Sequence, residues 1–167
     1  EASIITNKLY DEVRDIVRNF INCNSSREVV FTSGTTMSIN MIVFGYMKKI
    51  LKKGDEVILS KAEHASNVLP WIKLSEEIGI VIKYAALDYE YSLTVDSIKN
   101  AITDKTKFIS IAHVTNVIGD VRDIKSISKV CHENGIFMVV DAAQSIAHTK
   151  IDVVDMDIDF MAFSGHK

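Results

Sequence analysis

The strongest constraint on this chain is an alternation. Short apolar runs, each closed by a polar segment, are separated by stretches with the period of an amphipathic helix. The runs at 29–32, 56–60, 80–84, 107–112, 136–140 and 160–163 have the length and β-branched or aromatic content of buried strands. Between them, helical spacing predicts helices over 7–22, 35–53, 65–78 and 95–102, and a further one from an Asp123 N-cap to Asn134, stopped by Gly135. In the first helix the spaced residues are Leu9, Val13, Ile16, Val17 and Phe20. Strands alternating with helices in this order define an α/β domain with a mainly parallel sheet and helices on both faces. Ligands of such sheets gather beyond the carboxyl ends of the strands. The segments to inspect are therefore 32–36, 60–64, 113–116, 141–144 and 164–167.

Bulk properties narrow the class of partner. A net charge of −3 offers no basic excess for nucleic acid. No apolar run approaches the ~20 residues of a membrane helix, and the first residues lack the basic start of a signal peptide. With only Cys23 and Cys131, a disulfide framework is not expected, and a reduced cytoplasmic setting is. Both cysteines sit where structural residues belong, near a helix end and on a helix face. The His and Cys residues form no zinc-type cluster, so no metal is expected. The chain lacks a starting Met and stops on Ser-Gly-His-Lys, which suggests a fragment.

The strand-end segments carry the chemistry. In F-T-S-G-T-T, residues 31–36, Gly34 permits a tight turn, and Thr35 and Thr36 open a helix. Free backbone N–H groups with two hydroxyls make either a phosphate cradle or simply a capped helix. A Gly-Lys-Ser/Thr sequence does not follow, so this is no Walker A loop. Asp141 ends the most apolar strand, in M-V-V-D-A-A-Q. A carboxylate there needs a cation, such as a protonated pyridine nitrogen, unless it only caps the next turn. In F-S-G-H-K, residues 163–167, Ser164 and His166 can donate hydrogen bonds to a phosphate, and Lys167 has an amine able to form an imine. Taken alone, Lys167 reads as a solvated surface residue. His64, in E-H-A-S-N, is either a ring-stacking or proton-moving group or an ordinary histidine. His113 and Asn116, in H-V-T-N, contact a ring hydroxyl or merely order a loop.

Together these motifs resemble the class V aminotransferase family of pyridoxal-phosphate (PLP) enzymes, and within it the SufS-type (group II) cysteine desulfurases and selenocysteine lyases. The matching pieces are F-T-S-G-T-T with Asn40, E-H-A-S-N followed by Pro70 and Trp71, H-V-T-N-V-I-G, V-D-A-A-Q-S and D-F-M-A-F-S-G-H-K. They occur in family order from about residue 7 onward. The resemblance implies the large domain of the fold type I PLP-dependent transferases, truncated after the Schiff-base lysine. Residues 1–28 would be its N-terminal helical segment and 29–167 its α/β body. It also implies roles. Lys167 would hold the cofactor as a Schiff base and act as base at Cα. Asp141 would pair with the pyridine nitrogen, and His64 would stack on the ring and help move protons. Asn116 and Gln144 would contact the ring hydroxyl. Thr35 (through its backbone), Thr36, Ser164 and His166 would hold the phosphate. Where the family has a second His after E-H, this chain has Ala65.

The implied reaction converts L-cysteine to L-alanine and an enzyme-bound persulfide for iron–sulfur cluster assembly, with a sulfur-acceptor protein as partner and a homodimer as the assembly. L-selenocysteine is the alternative substrate, and another class V enzyme or an inactive PLP-binding fragment the alternative identity. In the family the sulfur-accepting cysteine, the carboxylate-binding arginine and the small C-terminal domain lie beyond the Schiff-base lysine. Neither Cys23 nor Cys131 is therefore assigned the persulfide role, and this fragment alone is expected to be inactive. The antiparallel strand that follows the lysine in the family would be missing here, so the strand at 29–32 would lack its neighbour. A plain nucleotide-binding domain is the competing reading from another class, but it leaves Asp141 and Lys167 unexplained.

Overall fold

The structure, a computed structural model, describes residues 2–167. Its centre is a five-stranded, wholly parallel sheet in the order β2-β1-β3-β4-β5. The strands are β1 (Glu56–Ser60), β2 (Val81–Ala85), β3 (Thr106–Ala112), β4 (Phe137–Asp141) and β5 (Phe160–Ala162). Five of the expected strands therefore form, with bounds moved by a residue or two.

Alternation of side chains sends each strand's apolar residues to both faces, and both faces are covered. Ile58, Ile109, Ile111, Met138 and Val140 enter one core with Ile98 of α5 (Val95–Ala101) and Ile124, Ile127 and Cys131 of α6 (Ile124–Glu133). Val57, Leu59, Phe108 and Val139 enter the other. There they meet Trp71 and Leu74 of α4 (Ala65–Ile78), Ile39 of α2 (Thr35–Asn40) and Val43 of the segment that follows it. Each such side chain, fully buried, contributes about 1.5–3 kcal/mol.

Helix ends follow their sequence signals. The Asp123 carboxylate accepts the Ser126 N–H at 3.0 Å to cap α6, and Gly135, at φ 66°, ends it. Gly79, at φ 77°, stops α4 in the left-handed region that favours glycine. The helix expected over 35–53 is interrupted. It runs as α2, then as a π-helical stretch Met41–Met47, then as the single turn α3 (Lys48–Ile50). Leu51 then turns extended, so the helix stops short of Lys53.

One expectation needs correction. Residues 29–32 are not a strand. A strand exists through its ladder, and among the described residues nothing pairs with this segment. The amphipathic helix over 7–22 forms as α1 (Ala2–Ile21), but its apolar stripe does not enter the core. Leu9, Val13, Ile16 and Phe20 are exposed, while Val17 and Ile21 pack against the core and Tyr10 meets Phe31 edge-on.

The connection into β5 is held by a histidine of α6. His132 Nδ1 lies 2.7 Å from the Asp157 carboxylate and its Nε2 3.0 Å from that of Asp159. Asp159 also accepts the Met138 N–H at 2.7 Å, which joins this clamp to β4. The Asp159 contact, opposed by partial burial and assisted by Asp157, raises the His132 pKa above its ordinary value. A raised folded-state pKa gives stability that is fully present below the unfolded value of about 6.5 and lost as pH rises through the folded value. Thermal melts of His132→Gln and the parent should therefore differ most below pH ~6 and converge at alkaline pH.

Candidate active site

A sheet ordered 2-1-3-4-5 has its topological switch between β1 and β3, and a crevice opens at the carboxyl ends of the strands beside such a switch. A cavity of about 390 Å³ lies there. All nine residues singled out from the sequence line it: Thr35, Thr36, His64, Asn116, Asp141, Gln144, Ser164, His166 and Lys167. The lysine and the strand-end carboxylate thus share one cavity although 26 positions separate them in the sequence. His113 is not among the lining residues. It is buried, its Nδ1 has no partner, and burial pushes its pKa down. Of the H-V-T-N pair, only Asn116 reaches the cavity.

One wall is built by the turn before α2. Gly34 has φ 142° and ψ 178°, a conformation essentially limited to glycine. It brings Thr35 against the far end of the chain. The Thr35 N–H donates to Ser164 Oγ at 3.0 Å, and the two hydroxyls lie 2.7 Å apart. This bond joins residues 129 positions apart and closes the cavity between α2 and the segment after β5.

Asp141 supplies the floor. Its side chain is almost wholly buried, and one oxygen accepts the Ala143 N–H at 3.0 Å. Desolvation raises its pKa above the ordinary carboxylate value; the Ala143 bond opposes this, the Glu63 charge adds to it, and the charges of His64 and Lys167 oppose it. A buried carboxylate held in this way favours a cation beside it.

His64 is the N-cap of α4. Its Nδ1 accepts the Ser66 N–H at 3.2 Å and lies 2.7 Å from Ser66 Oγ. A ring that accepts at Nδ1 carries its proton on Nε2. Asn116 sits on a tight turn. The Thr115 N–H donates to the Asp120 carbonyl at 3.0 Å, the Asp120 N–H to Thr115 Oγ1 at 2.9 Å, and Val114 bridges Val121.

Beneath these loops lies a polar network that the motifs do not announce. The side chains of Glu63 and Arg122 are both fully buried and form an ion pair. Arg122 also donates to Ser60 Oγ at 2.8 Å, to the Ala112 carbonyl at 3.2 Å and to the Asp120 carboxylate at 3.3 Å. Glu63 further accepts from Ser60 Oγ at 2.6 Å, the Ala112 N–H at 2.7 Å and Asn67 Nδ2 at 2.9 Å. Glu63 adjoins His64 in the E-H-A-S-N motif, which was the only available signal. Arg122 carried none.

Fold and site define a class first: an α/β domain that presents an amine, a buried carboxylate and a hydroxyl-lined turn at the carboxyl edge of a parallel sheet. The chain belongs to the aminotransferase class-V family, whose model matches residues 1–167. It is 43% identical over 158 residues to a protein of Borreliella burgdorferi and 39% identical over 158 residues to one of Halalkalibacterium halodurans, each named "Probable cysteine desulfurase". These alignments cover 94% and 95% of the chain but 37% and 39% of the relatives. The chain therefore spans under two-fifths of their length. An apo cysteine desulfurase of Thermococcus onnurineus superimposes with a TM-score of 0.94 at 34% identity, over 100% of this chain and 41% of that one. The architecture is that of the large domain of fold type I PLP-dependent transferases.

The Gly34 turn has little tolerance. A Cβ there would stand 3.4 Å from Ser164 Oγ and would impose a strained backbone. Gly34→Ala should cost about 1–3 kcal/mol, measured by urea unfolding, as the Thr35–Ser164 contact loosens.

Proposed function

We propose that the cavity binds pyridoxal 5′-phosphate and that the whole protein is a cysteine desulfurase, converting L-cysteine to L-alanine with transfer of the sulfur as a persulfide. The observation that carries this reading is the meeting of Lys167 and the buried Asp141 in one cavity with the Thr35–Ser164 turn.

The residues fit such a cofactor. When bound, it supplies an electron sink for bonds at the substrate's Cα. Asp141, its charge unpaired by any salt bridge among the described residues, is suited to hold a protonated ring nitrogen. Lys167 Nζ would anchor the aldehyde carbon covalently and then carry a proton at Cα. Thr36, Ser164, His166 and the Thr35 backbone would hold the phosphate. His64, its proton on Nε2, would cover the ring and relay a proton, while Asn116 and Gln144 would face the ring hydroxyl. Residues 1–28 and 29–167 serve as the helical lead and α/β body of one large domain.

Neither cysteine suits the sulfur-accepting role. Burial pushes the Cys131 thiol up to about 12 and also raises that of Cys23. A nucleophile needs the thiolate. A sulfur-acceptor protein, a homodimeric assembly and a cytoplasmic setting complete the proposal. Among the described residues, no helix is long and apolar enough to cross a membrane. Selenocysteine is the second substrate to test.

The decisive experiment uses the full chain. Addition of PLP should produce the visible absorbance of a lysine-bound cofactor in the parent and not in Lys167→Ala. Cysteine-dependent alanine formation should vanish with it. Absence of that absorbance in the parent would refute the assignment. Cys23→Ser and Cys131→Ala should retain alanine and persulfide formation in the same assay, apart from any loss of folded protein.

A further inference from the structure

Beneath the cavity lies a buried charge that the proposed reaction does not use. Arg122 is a lone guanidinium fully buried between two carboxylates, Glu63 and Asp120. Burying charges in this way is costly, and a packed apolar cluster would often be as stable. Its placement points to a further purpose. Arg122 joins the segment after β1, through Ser60 and Glu63, to the segment after β3, through the Ala112 carbonyl and Asp120. These are the two sides of the topological switch. The Arg122 N–H also donates to the His113 carbonyl at 3.0 Å, so one residue fixes both the entry and the exit of the turn that carries Asn116.

The Glu63 member of the pair is also linked to Asp141. Ala112, whose N–H is held by Glu63 at 2.7 Å, is the register partner of Asp141 across the β3–β4 ladder. The His113 N–H donates to the Asp141 carbonyl at 2.9 Å. Glu63 is thus connected to Asp141 through its charge and through the Ala112 ladder, while its own carboxylate is paired with Arg122.

We propose that Arg122 is a positioning residue of the cofactor site, holding the Asn116 turn and cancelling the Glu63 charge that faces Asp141. The inference rests on the PLP reading above. Asp141 interacts electrostatically with Glu63, His64 and Lys167, and His166 lines the same cavity. Loss of Arg122 alone leaves Glu63 uncompensated and makes Asp141 harder to ionise. Loss of the Glu63 charge alone leaves a cation there and makes Asp141 easier to ionise.

The test is the pH dependence of PLP binding to the full-length apoprotein, read as Kd by fluorescence quenching. Binding should weaken at acid pH as Asp141 takes up a proton. In Arg122→Gln this acid limb should move up by about one pH unit, and in Glu63→Gln down by a similar amount. The double variant should return toward the parent. A merely structural role would weaken both single variants in the same direction or lower their melting temperatures without moving the limb, and that result overturns the proposal. Should Arg122→Gln give too little folded protein, Glu63→Gln decides alone: an unmoved or upward limb refutes it. A parent that binds no PLP refutes the underlying reading. A parent that binds PLP, with variants whose limbs coincide with its own, refutes this inference only.

Discussion

The site depends on a buried ion pair that never touches the cavity's contents. Glu63 and Arg122 lie where β1 and β3 part, and both side chains are sealed from solvent. Removing one member of such a pair typically costs about 3–5 kcal/mol, because the other charge is left stranded. Here the pair is also saturated with hydrogen bonds to Ser60, Asn67, Ala112 and Asp120. Satisfied networks rigidify their surroundings. Loops at the end of a sheet are otherwise its most mobile parts. The network turns two of them, one carrying His64 and the other Asn116, into fixed walls.

The parallel sheet supplies the remaining precision. Each strand delivers its carboxyl end to the same edge, so groups remote in sequence converge without long loops. β4 delivers Asp141, and β5 delivers Ser164, His166 and Lys167 two to five residues beyond Ala162. The Thr35–Ser164 bond then locks the opening of α2 to that edge. This contact matters more than its modest energy suggests, because it sets the distance between the hydroxyl-lined turn and the lysine.

Most of this was legible in the sequence, for an identifiable reason. Apolar periodicity reports burial, and every strand buried on both faces was found from it. Glycines in the left-handed region marked helix ends, as Gly79 and Gly135 did. Polar residues after apolar runs marked the ligand edge. What stayed hidden was non-local. Residues 29–32 have the composition of a strand, but a strand also needs a partner, and composition does not record one. The stripe of α1 has helical spacing, yet spacing does not say what the stripe faces. The π-helical stretch at Met41–Met47 changes the register of a helix without changing its apolar character. Arg122 drew no reading at all, since nothing local reveals a guanidinium buried against a carboxylate 59 positions away.

The charges around the cavity follow from this geometry. Lys167, His64 and His166 bring basic groups to a site whose only lining acid among the described residues is Asp141. A ligand with a phosphate at one end and a protonatable ring nitrogen at the other meets that asymmetry at both ends. In the proposed reading the anionic end would lie toward Thr36, Ser164 and His166, and the cationic end toward the buried carboxylate. A second ionised acid at the floor would blur the distinction, because it would compete with Asp141 for the same proton. Glu63 is such an acid: its charge raises the Asp141 pKa, and its own carboxylate is held in an ion pair with Arg122.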